Sequence, residues 1–378
     1  MTSAANVFDA VIVGAGIVGA ACADEFVRRG MRVAVVDREG IAGGATGAAM
    51  GHIVVMDDSE AQFALTRYSQ LLWRKLRDEL PDDVEYEQRG TIWIAADEEE
   101  MREVRRKRDY YEQRGVTAQV LDAQDLRRLE PNLRDGLAGG LLVPEDCILY
   151  PPSAARLLIE RAQRRGAELR AGCAVAQIGN GTVRLTDGSV ISAETIVNAA
   201  GPHSPELTPE LPVRKRKGHL AITEICPGFA HHQLVELGYL KSAHSVGGDS
   251  VAFNVQPRRT GQILVGSSRQ YGADHSEVDN FMLVRMLRRA QEYLPGLAQM
   301  SAVRTWTGFR AATPDKLPLI GPWTGDRSLF LATGHEGLGI ATSLGTARLL
   351  ADQITGAKSE IPVEPYLPSR TVKEHVHA

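Results

Sequence analysis

Apolar positions along this chain follow two rhythms, and the first change between them comes early. Asp9 to Val13 is a short apolar run of strand type, and Ile17 to Arg28 places apolar residues at helical spacing. A second strand, Arg32 to Val36, ends at Asp37. Ala61 to Leu80 reads as an amphipathic helix ending before Pro81, and Arg89 to Ala95 as a strand. The charged stretch Asp97 to Arg114 is expected to be a helix with its charges in solvent. Leu121 to Leu129 reads as a short helix closed by Glu130-Pro131, and Gly136 to Val143 as a strand. Pro152 to Arg165 is helical, with Gly166 at its end. Strand segments Glu168 to Val175 and Thr182 to Leu185 follow, and the Asp187-Gly188 turn folds the latter onto Val190-Ile191. Thr195 to Pro202 is a buried strand running into small residues. From Val213 the pattern becomes antiparallel strands: His219 to Ile225, Ser250 to Val255 and Gly261 to Gly266. A helix from Glu277 to Leu294 is followed by the segments Thr305 to Thr313 and Pro318 to Gly321, which lead to the last signal. That signal is a strand from Leu329, a glycine turn, and a helix running past Ile340 to about Ile354. The residues after Pro368 are expected to form a loose tail.

The first junction carries chemistry. Gly14, Gly16 and Gly19 form G-x-G-x-x-G where strand becomes helix. The first glycine allows a tight turn, the second lets a pyrophosphate approach the backbone, and the third lets helix and strand pack closely. Free N–H groups and the helix dipole then favour an anion. Asp37, about 20 residues on, can accept hydrogen bonds from a ribose hydroxyl. A bound dinucleotide follows. A second small-residue loop, Gly40 to His52, comes directly after Asp37. A domain binding only a nicotinamide cofactor has no need of it, whereas a longer cofactor lying across the sheet requires close backbone approach there. This points to FAD.

Composition narrows the remaining choices. At 378 residues the chain suits two intertwined or sequential domains. A net charge of -4 offers no general attraction to nucleic acid or anionic lipid. The basic run Arg214-Lys215-Arg216-Lys217 is short and reads as a solvated strand end rather than a phosphate patch. No apolar stretch approaches the length of a membrane span. Thr2 to Asn6 leads straight into the first strand, without a basic and then apolar leader. Cys22, Cys147, Cys173 and Cys226 are far apart and form no C-x-x-C, which excludes a redox dithiol and a zinc site and fits a reducing, cytoplasmic setting.

Val11 to Gly19, Gly43 to Gly51, Val197 to Gly201, Gly308 to Gly321 and Ala332 to Gly345, in that order, resemble the D-amino acid oxidase superfamily of FAD enzymes. The resemblance spans nearly the whole chain. It implies an α/β fold: a Rossmann-like FAD-binding domain with an inserted α+β substrate domain built on an antiparallel sheet. The FAD domain would comprise residues 1–82, 146–212 and 316–378, and the substrate domain 83–145 and 213–315. By residue match, Ile17 and Val18 would contact the phosphates, and Asp37 and Arg38 the ribose side, with Ala45 and Thr46 alongside. Gly51, His52 and Ile53 would lie by the flavin ring, Val175 by the adenine, and Ala200 and Gly201 by the adenosine half. The turn His335, Glu336, Gly337, Leu338, Gly339, Ile340 and Ala341 would place N–H groups against the N1–C2=O edge of the flavin. Relatives that attach flavin covalently use a histidine in the loop after the second strand or a cysteine before the Thr-Pro-Asp segment. This chain has neither, so non-covalent FAD is expected.

Arg310 matches the arginine that holds the substrate carboxylate in these enzymes, and its strand setting among small residues suits a pocket. Departures bear on the substrate. Glycine oxidases carry a second arginine where this chain has Gly337, a tyrosine where it has Asn254, and a methionine where it has His52. The Gly-His-Glu-Gly-Leu-Gly turn and Met50-Gly51-His52 are more similar to the flavoprotein subunits of D-hydroxyproline dehydrogenases. His52 has two readings: a pocket group that orients a substrate hydroxyl or takes an amine proton, or a packed histidine of the FAD loop. The implied function is oxidation of a carboxylate-bearing amine, cyclic or N-substituted and D-hydroxyproline-like, to the imine. The alternatives are a glycine or sarcosine-type oxidase that reduces O2, and a non-catalytic flavoprotein subunit passing electrons to a partner.

Overall fold

A computed structural model of the chain describes residues 7–238 and 248–372. Thr2 to Asn6 and the last residues of the expected tail lie outside that range, and Ser369–Val372 is a helical turn.

Eighteen strands run along the described chain. The first eight are β1 (Val7–Val13), β2 (Val33–Asp37), β3 (His52–Ile53), β4 (Thr91–Ala95), β5 (Gln119–Asp122), β6 (Gly139–Val143), β7 (Cys147–Ile148) and β8 (Glu168–Ala171). Then come β9 (Val175–Gly179), β10 (Thr182–Leu185), β11 (Val190–Asn198), β12 (Arg214–Thr223) and β13 (Gln233–Glu236). The last are β14 (Ser250–Pro257), β15 (Ile263–Arg269), β16 (Ala302–Ala312), β17 (Leu319–Pro322) and β18 (Leu329–Thr333).

The first sheet has the order β17-β18-β11-β1-β2-β8, with the β9–β10 hairpin paired to β11. Its centre is parallel: Val13 lies opposite both Val36 and Asn198. Strands buried on both faces read as continuous apolar runs, which is why β1 and β2 were legible. Helices Ile17–Arg28, Pro151–Arg164 and Gly339–Thr355 cover one face around Ile12, Phe26, Leu158 and Leu350. The carboxyl ends of β1, β2 and β11 therefore open together at one edge, where ligands bind in such sheets.

The second sheet runs β16-β12-β15-β14-β13-β4-β6-β5. It was expected to be antiparallel, and all but one of its pairs are; β13 and β4 run parallel, with Val235 opposite Trp93. Two distant stretches of chain meet there side by side in the same direction, and no local pattern encodes that. Helix Asn280–Tyr293 covers one face and helix Glu98–Glu112 packs near the β4–β6 end.

Several expected boundaries shift, each for a local reason. Residues 119–122 are a strand, and the helix starts at Ala123 because the Asp122 side chain caps it on Asp125 N–H. The helix expected from Glu277 starts at Asn280, capped by Asp279. The helix from Glu60 ends at Leu76 and tightens into a turn over Arg77–Glu79. Two expectations about charge are corrected. In helix Glu98–Glu112 most charges face solvent, but Lys107 is wholly buried, paired with Asp57 and lying 4.8 Å and 4.9 Å from the Trp93 and Tyr111 ring centroids. In the basic run, Arg216 and Lys217 are buried rather than solvated, because β12 is sandwiched between β16 and β15.

Candidate active site

A cavity of about 660 Å³ opens between the two sheets. Its walls come from the carboxyl edge of the first sheet, the loop before β3, one face of the second sheet, and the turn before helix Gly339–Thr355.

At the first-sheet end the glycines have distinct duties. Gly14 sits at φ +113°, and a Cβ there would stand 2.5 Å from the Ala199 carbonyl oxygen. A Cβ on Gly19 would press into the backbone of Gly14, 3.0 Å from its carbonyl carbon and nearer still to its oxygen. Gly16 instead faces the cavity, with only Thr46 Oγ1 close, at 3.2 Å from a would-be Cβ. Helix Ile17–Arg28 starts at Gly16, which has no side chain to cap it, and has no acid in its first turn, so no carboxylate offsets its positive end at the cavity. The Ile17 N–H already donates to Thr46 Oγ1 at 2.9 Å. Asp37 holds the neighbouring turns together: Oδ2 accepts from Ala15 N–H at 2.7 Å, and Oδ1 from Glu39 and Gly40 N–H at 2.8 Å and 2.9 Å. Arg38 lies at the rim, its Nη2 2.8 Å from His203 Nε2.

The turn at the far side is tightly built. Glu336 adopts φ +55°, its N–H donates to the Ala311 carbonyl at 2.9 Å, and its carboxylate pairs with Arg216. Leu338 N–H donates to His335 O at 2.9 Å. The His335 ring is buried and bonded to Thr346 Oγ1 at 2.9 Å, and burial drives its pKa down to about 3. This histidine is a neutral packing group.

The second sheet supplies the remaining wall. Arg310 on β16 extends across β12 and donates from Nη1 to the Ser268 carbonyl on β15 at 2.9 Å. It passes directly over Gly218, where a Cβ would stand 2.8 Å from Nη2 and 2.9 Å from Cζ. Asn254 on β14 lines the same space, its side-chain oxygen accepting from Gln233. His52 Nε2 lies 2.7 Å from Thr91 Oγ1. One part of the His52 ring faces the cavity, but protein packed around it strips its hydration and lowers its pKa to about 3. Behind Thr91 stands Asp146, whose Oδ1 accepts from Gln70 Nε2 at 2.9 Å. Burial pushes Asp146 up to about 7 against hydrogen bonds from Thr91, Val55 and Gln70 and the charge of Lys107.

With this geometry in view, the sequence profile described as FAD dependent oxidoreductase, DAO, matches residues 9–353. The chain belongs to the DAO family of FAD dependent oxidoreductases. Hydrogen cyanide synthase subunit HcnC of Pseudomonas aeruginosa is 28% identical, with 96% of each chain covered. Glycine oxidase of Geobacillus kaustophilus is 27% identical, with 97% of each covered. The crystal structure of glycine oxidase from Geobacillus kaustophilus superposes with TM-score 0.86 at 26% identity, covering 96% of this chain and 98% of that one. L-proline dehydrogenase from P. horikoshii shares the fold, with TM-score 0.87 at 23% identity over 97% and 98%.

The cavity of this DAO-family chain fits FAD. Its glycine-walled turn leaves Gly16 open where a pyrophosphate needs backbone contact, Asp37 stands beside it, and Val175, Ala200 and Gly201 line the same end. Of the residues expected at the site, Gly14, Gly16, Ile17, Val18, Asp37, Arg38, Ala45, Thr46, Gly51, His52, Asn254, Arg310 and His335 to Ile340 also line the cavity. Gly19, Ile53 and Ala341 do not. Gly19 is spent on packing against Gly14, Ile53 is buried and paired with Cys147, and Ala341 is buried in its helix. Sequence reasoning missed Trp93, Thr91, Asp146, Arg216, Gly218 and Arg269. Arg216 had been noted only within the basic run, and Gly218 lies just before the strand expected from His219.

Proposed function

We propose that this chain oxidises a carboxylate-bearing amine, a cyclic or N-substituted amino acid of the D-hydroxyproline kind, to the imine. The observation that carries this reading is Arg310, a guanidinium lining the cavity on the second sheet and steadied by the Ser268 carbonyl. A planar guanidinium takes a carboxylate through parallel hydrogen bonds and so fixes the orientation of the adjacent Cα–H. Bound FAD supplies the hydride acceptor. Gly14, Gly16, Val18, Thr46 and the start of helix Ile17–Arg28 would hold its phosphates, and the Gly337-to-Ile340 turn would face its ring.

The chain's other groups act by position. Asn254, with its oxygen engaged by Gln233, keeps its amide N–H groups for a polar substituent of the substrate. His52 is a neutral hydrogen-bonding group held by Thr91, which suits orienting the substrate rather than countering its charge. An amine that binds neutral requires no protein base. The names of the relatives support amine chemistry. Glycine itself is less favoured, because Gly337 and Asn254 replace the second arginine and the tyrosine of glycine oxidases.

An anaerobic screen of D and L amino and imino acids, following loss of the yellow flavin absorbance, tests this. Secondary amino acids should bleach the flavin, and the same amines without the carboxylate should not. A yellow protein that no amine bleaches would favour the electron-carrying subunit reading instead. Reoxidation of the bleached protein under air, compared with a dye acceptor, separates an oxidase from a dehydrogenase.

A further inference from the structure

We propose that Asp146 and Thr91 are positioning residues that fix His52 as a hydrogen-bond acceptor in the cavity, so that the substrate meets it with an N–H or O–H donor; this rests on the amine-oxidation reading above. A donor-only group sets the direction of the bonds behind His52. Arg67 Nη1 donates to Gln70 Oε1 at 2.9 Å, so the Gln70 amide nitrogen turns to Asp146 and donates to its Oδ1 at 2.9 Å. Val55 N–H reaches the same oxygen at 3.4 Å. The Thr91 hydroxyl also bonds to this carboxylate, and an ionised carboxylate only accepts, so the Thr91 proton is directed at Asp146. Thr91 Oγ1 then has only lone pairs to offer His52 Nε2, 2.7 Å away, and that nitrogen must carry the ring proton. A neutral imidazole protonated on Nε2 is a bare acceptor at Nδ1. Nδ1 has no hydrogen-bond partner among the described residues, and His52 lines the cavity. Gln70, Thr91 and Asp146 are all buried, which keeps water from competing for these bonds. Two groups of the proposed substrate class can meet such an acceptor: the N–H of a neutral secondary amine, and a ring hydroxyl. Either leaves the single carboxylate to Arg310.

The test uses the FAD-loaded protein at about pH 8, where Asp146, raised by burial to about 7, is ionised. Nitrogen NMR of protein labelled in its histidine rings, with the His52 signals assigned by their loss in His52→Gln, reads the tautomer directly. The parent and Thr91→Ser should both carry the proton on Nε2. In Asp146→Asn the amide oxygen stays on the Gln70 N–H and the amide nitrogen donates to Thr91. The Thr91 hydroxyl then turns to donate to Nε2, and the ring proton should move to Nδ1. Thr91→Val, which has no hydroxyl, should lose the Nε2 preference and covers the case in which Asp146→Asn does not fold. Flavin bleaching by proline, 4-hydroxyproline and N-methylproline, D and L, reads the consequence for the substrate. In the parent, N-methylation should slow bleaching about tenfold if the amine is the donor, and hydroxylation should speed it about as much if the hydroxyl is. That discrimination should fall toward one in Asp146→Asn and Thr91→Val and persist in Thr91→Ser. A proton on Nδ1 in the parent, or a tautomer unchanged in both Asp146→Asn and Thr91→Val, overturns the inference. Equal bleaching by all three amines overturns it too, and leaves amine oxidation standing. The expected tautomers in a protein that no amine bleaches would sustain the hydrogen-bond chain while removing the oxidation reading.

Discussion

Gly218→Ala is the sharpest test of how Arg310 is held, because it moves the guanidinium without deleting it. The new Cβ would stand 2.8 Å from Nη2 and 2.9 Å from Cζ of Arg310, against an ordinary contact of 3.4–4 Å. The backbone of β12 is locked between β16 and β15, so the guanidinium, at the free end of a flexible side chain, must give way. Opening those contacts displaces it by roughly 1 Å and strains the 2.9 Å bond to Ser268. A displacement of about 1 Å in a substrate-positioning group can cost up to about 100-fold. We therefore expect kcat/KM to fall about 10–100-fold, equivalent to roughly 1.4–2.7 kcal/mol of transition-state binding. FAD content, read from the visible spectrum, and thermal stability should stay close to the parent. Parental kinetics in Gly218→Ala would show that Arg310 does not position the substrate.

Four further outcomes are expected. Arg310→Lys should raise KM and lower kcat, and Arg310→Ala should cost on the order of 3–5 kcal/mol in kcat/KM with the FAD spectrum intact; steady-state kinetics on the best amine found checks both. Lys107→Met should destabilise the fold by roughly 3–5 kcal/mol in denaturant titrations, because it leaves buried Asp57 with only the more distant Arg106, 3.9 Å away. Adding Asp57→Asn should recover much of that loss, and a double variant no better than the single would refute the pairing. For pH, Asp146 is raised to about 7, so its contribution to stability is full below about 3.8 and is lost as pH rises through about 7. His52 and His335 are lowered to about 3, so theirs is full above about 6.5 and erodes as pH falls toward about 3. Melting curves from pH 4 to 8 should show Asp146→Asn losing less stability than the parent toward the upper end, and an identical slope would count against the assignment. Acid precipitation should release the flavin into the supernatant, and colour kept in the pellet would mean a covalent link.

The cofactor half of this molecule was legible because its signals are local. Val11 to Gly19 encodes strand, turn and helix within nine residues, and each glycine answers to an atom nearby in the fold, such as Gly19 against Gly14. Asp37 was readable for the same reason: it ends the strand next to β1. Arg310 was picked out through its resemblance to a family motif, and the cavity does include it. The helix of residues 98–112 was legible as an element, since a charged face at helical spacing suffices to mark one.

What no reading of the residues supplied was which face each side chain took. Side chains on a strand alternate, so one step of register decides whether Arg216 or Lys217 meets the cavity, and β12 was set by its pairing with Arg310 and Gly308, about 90 residues away. The same holds for Lys107, read as solvated. It became a buried cation only because the segment carrying Asp57 and the strand carrying Trp93 close over it. Asp146, Thr91 and His52 lie far apart along the chain and meet through the β3–β7 and β4–β6 pairings. Local composition specifies elements through short-range sterics and burial, whereas charge pairing in this cavity depends on long-range register, which is settled only when the two sheets pack.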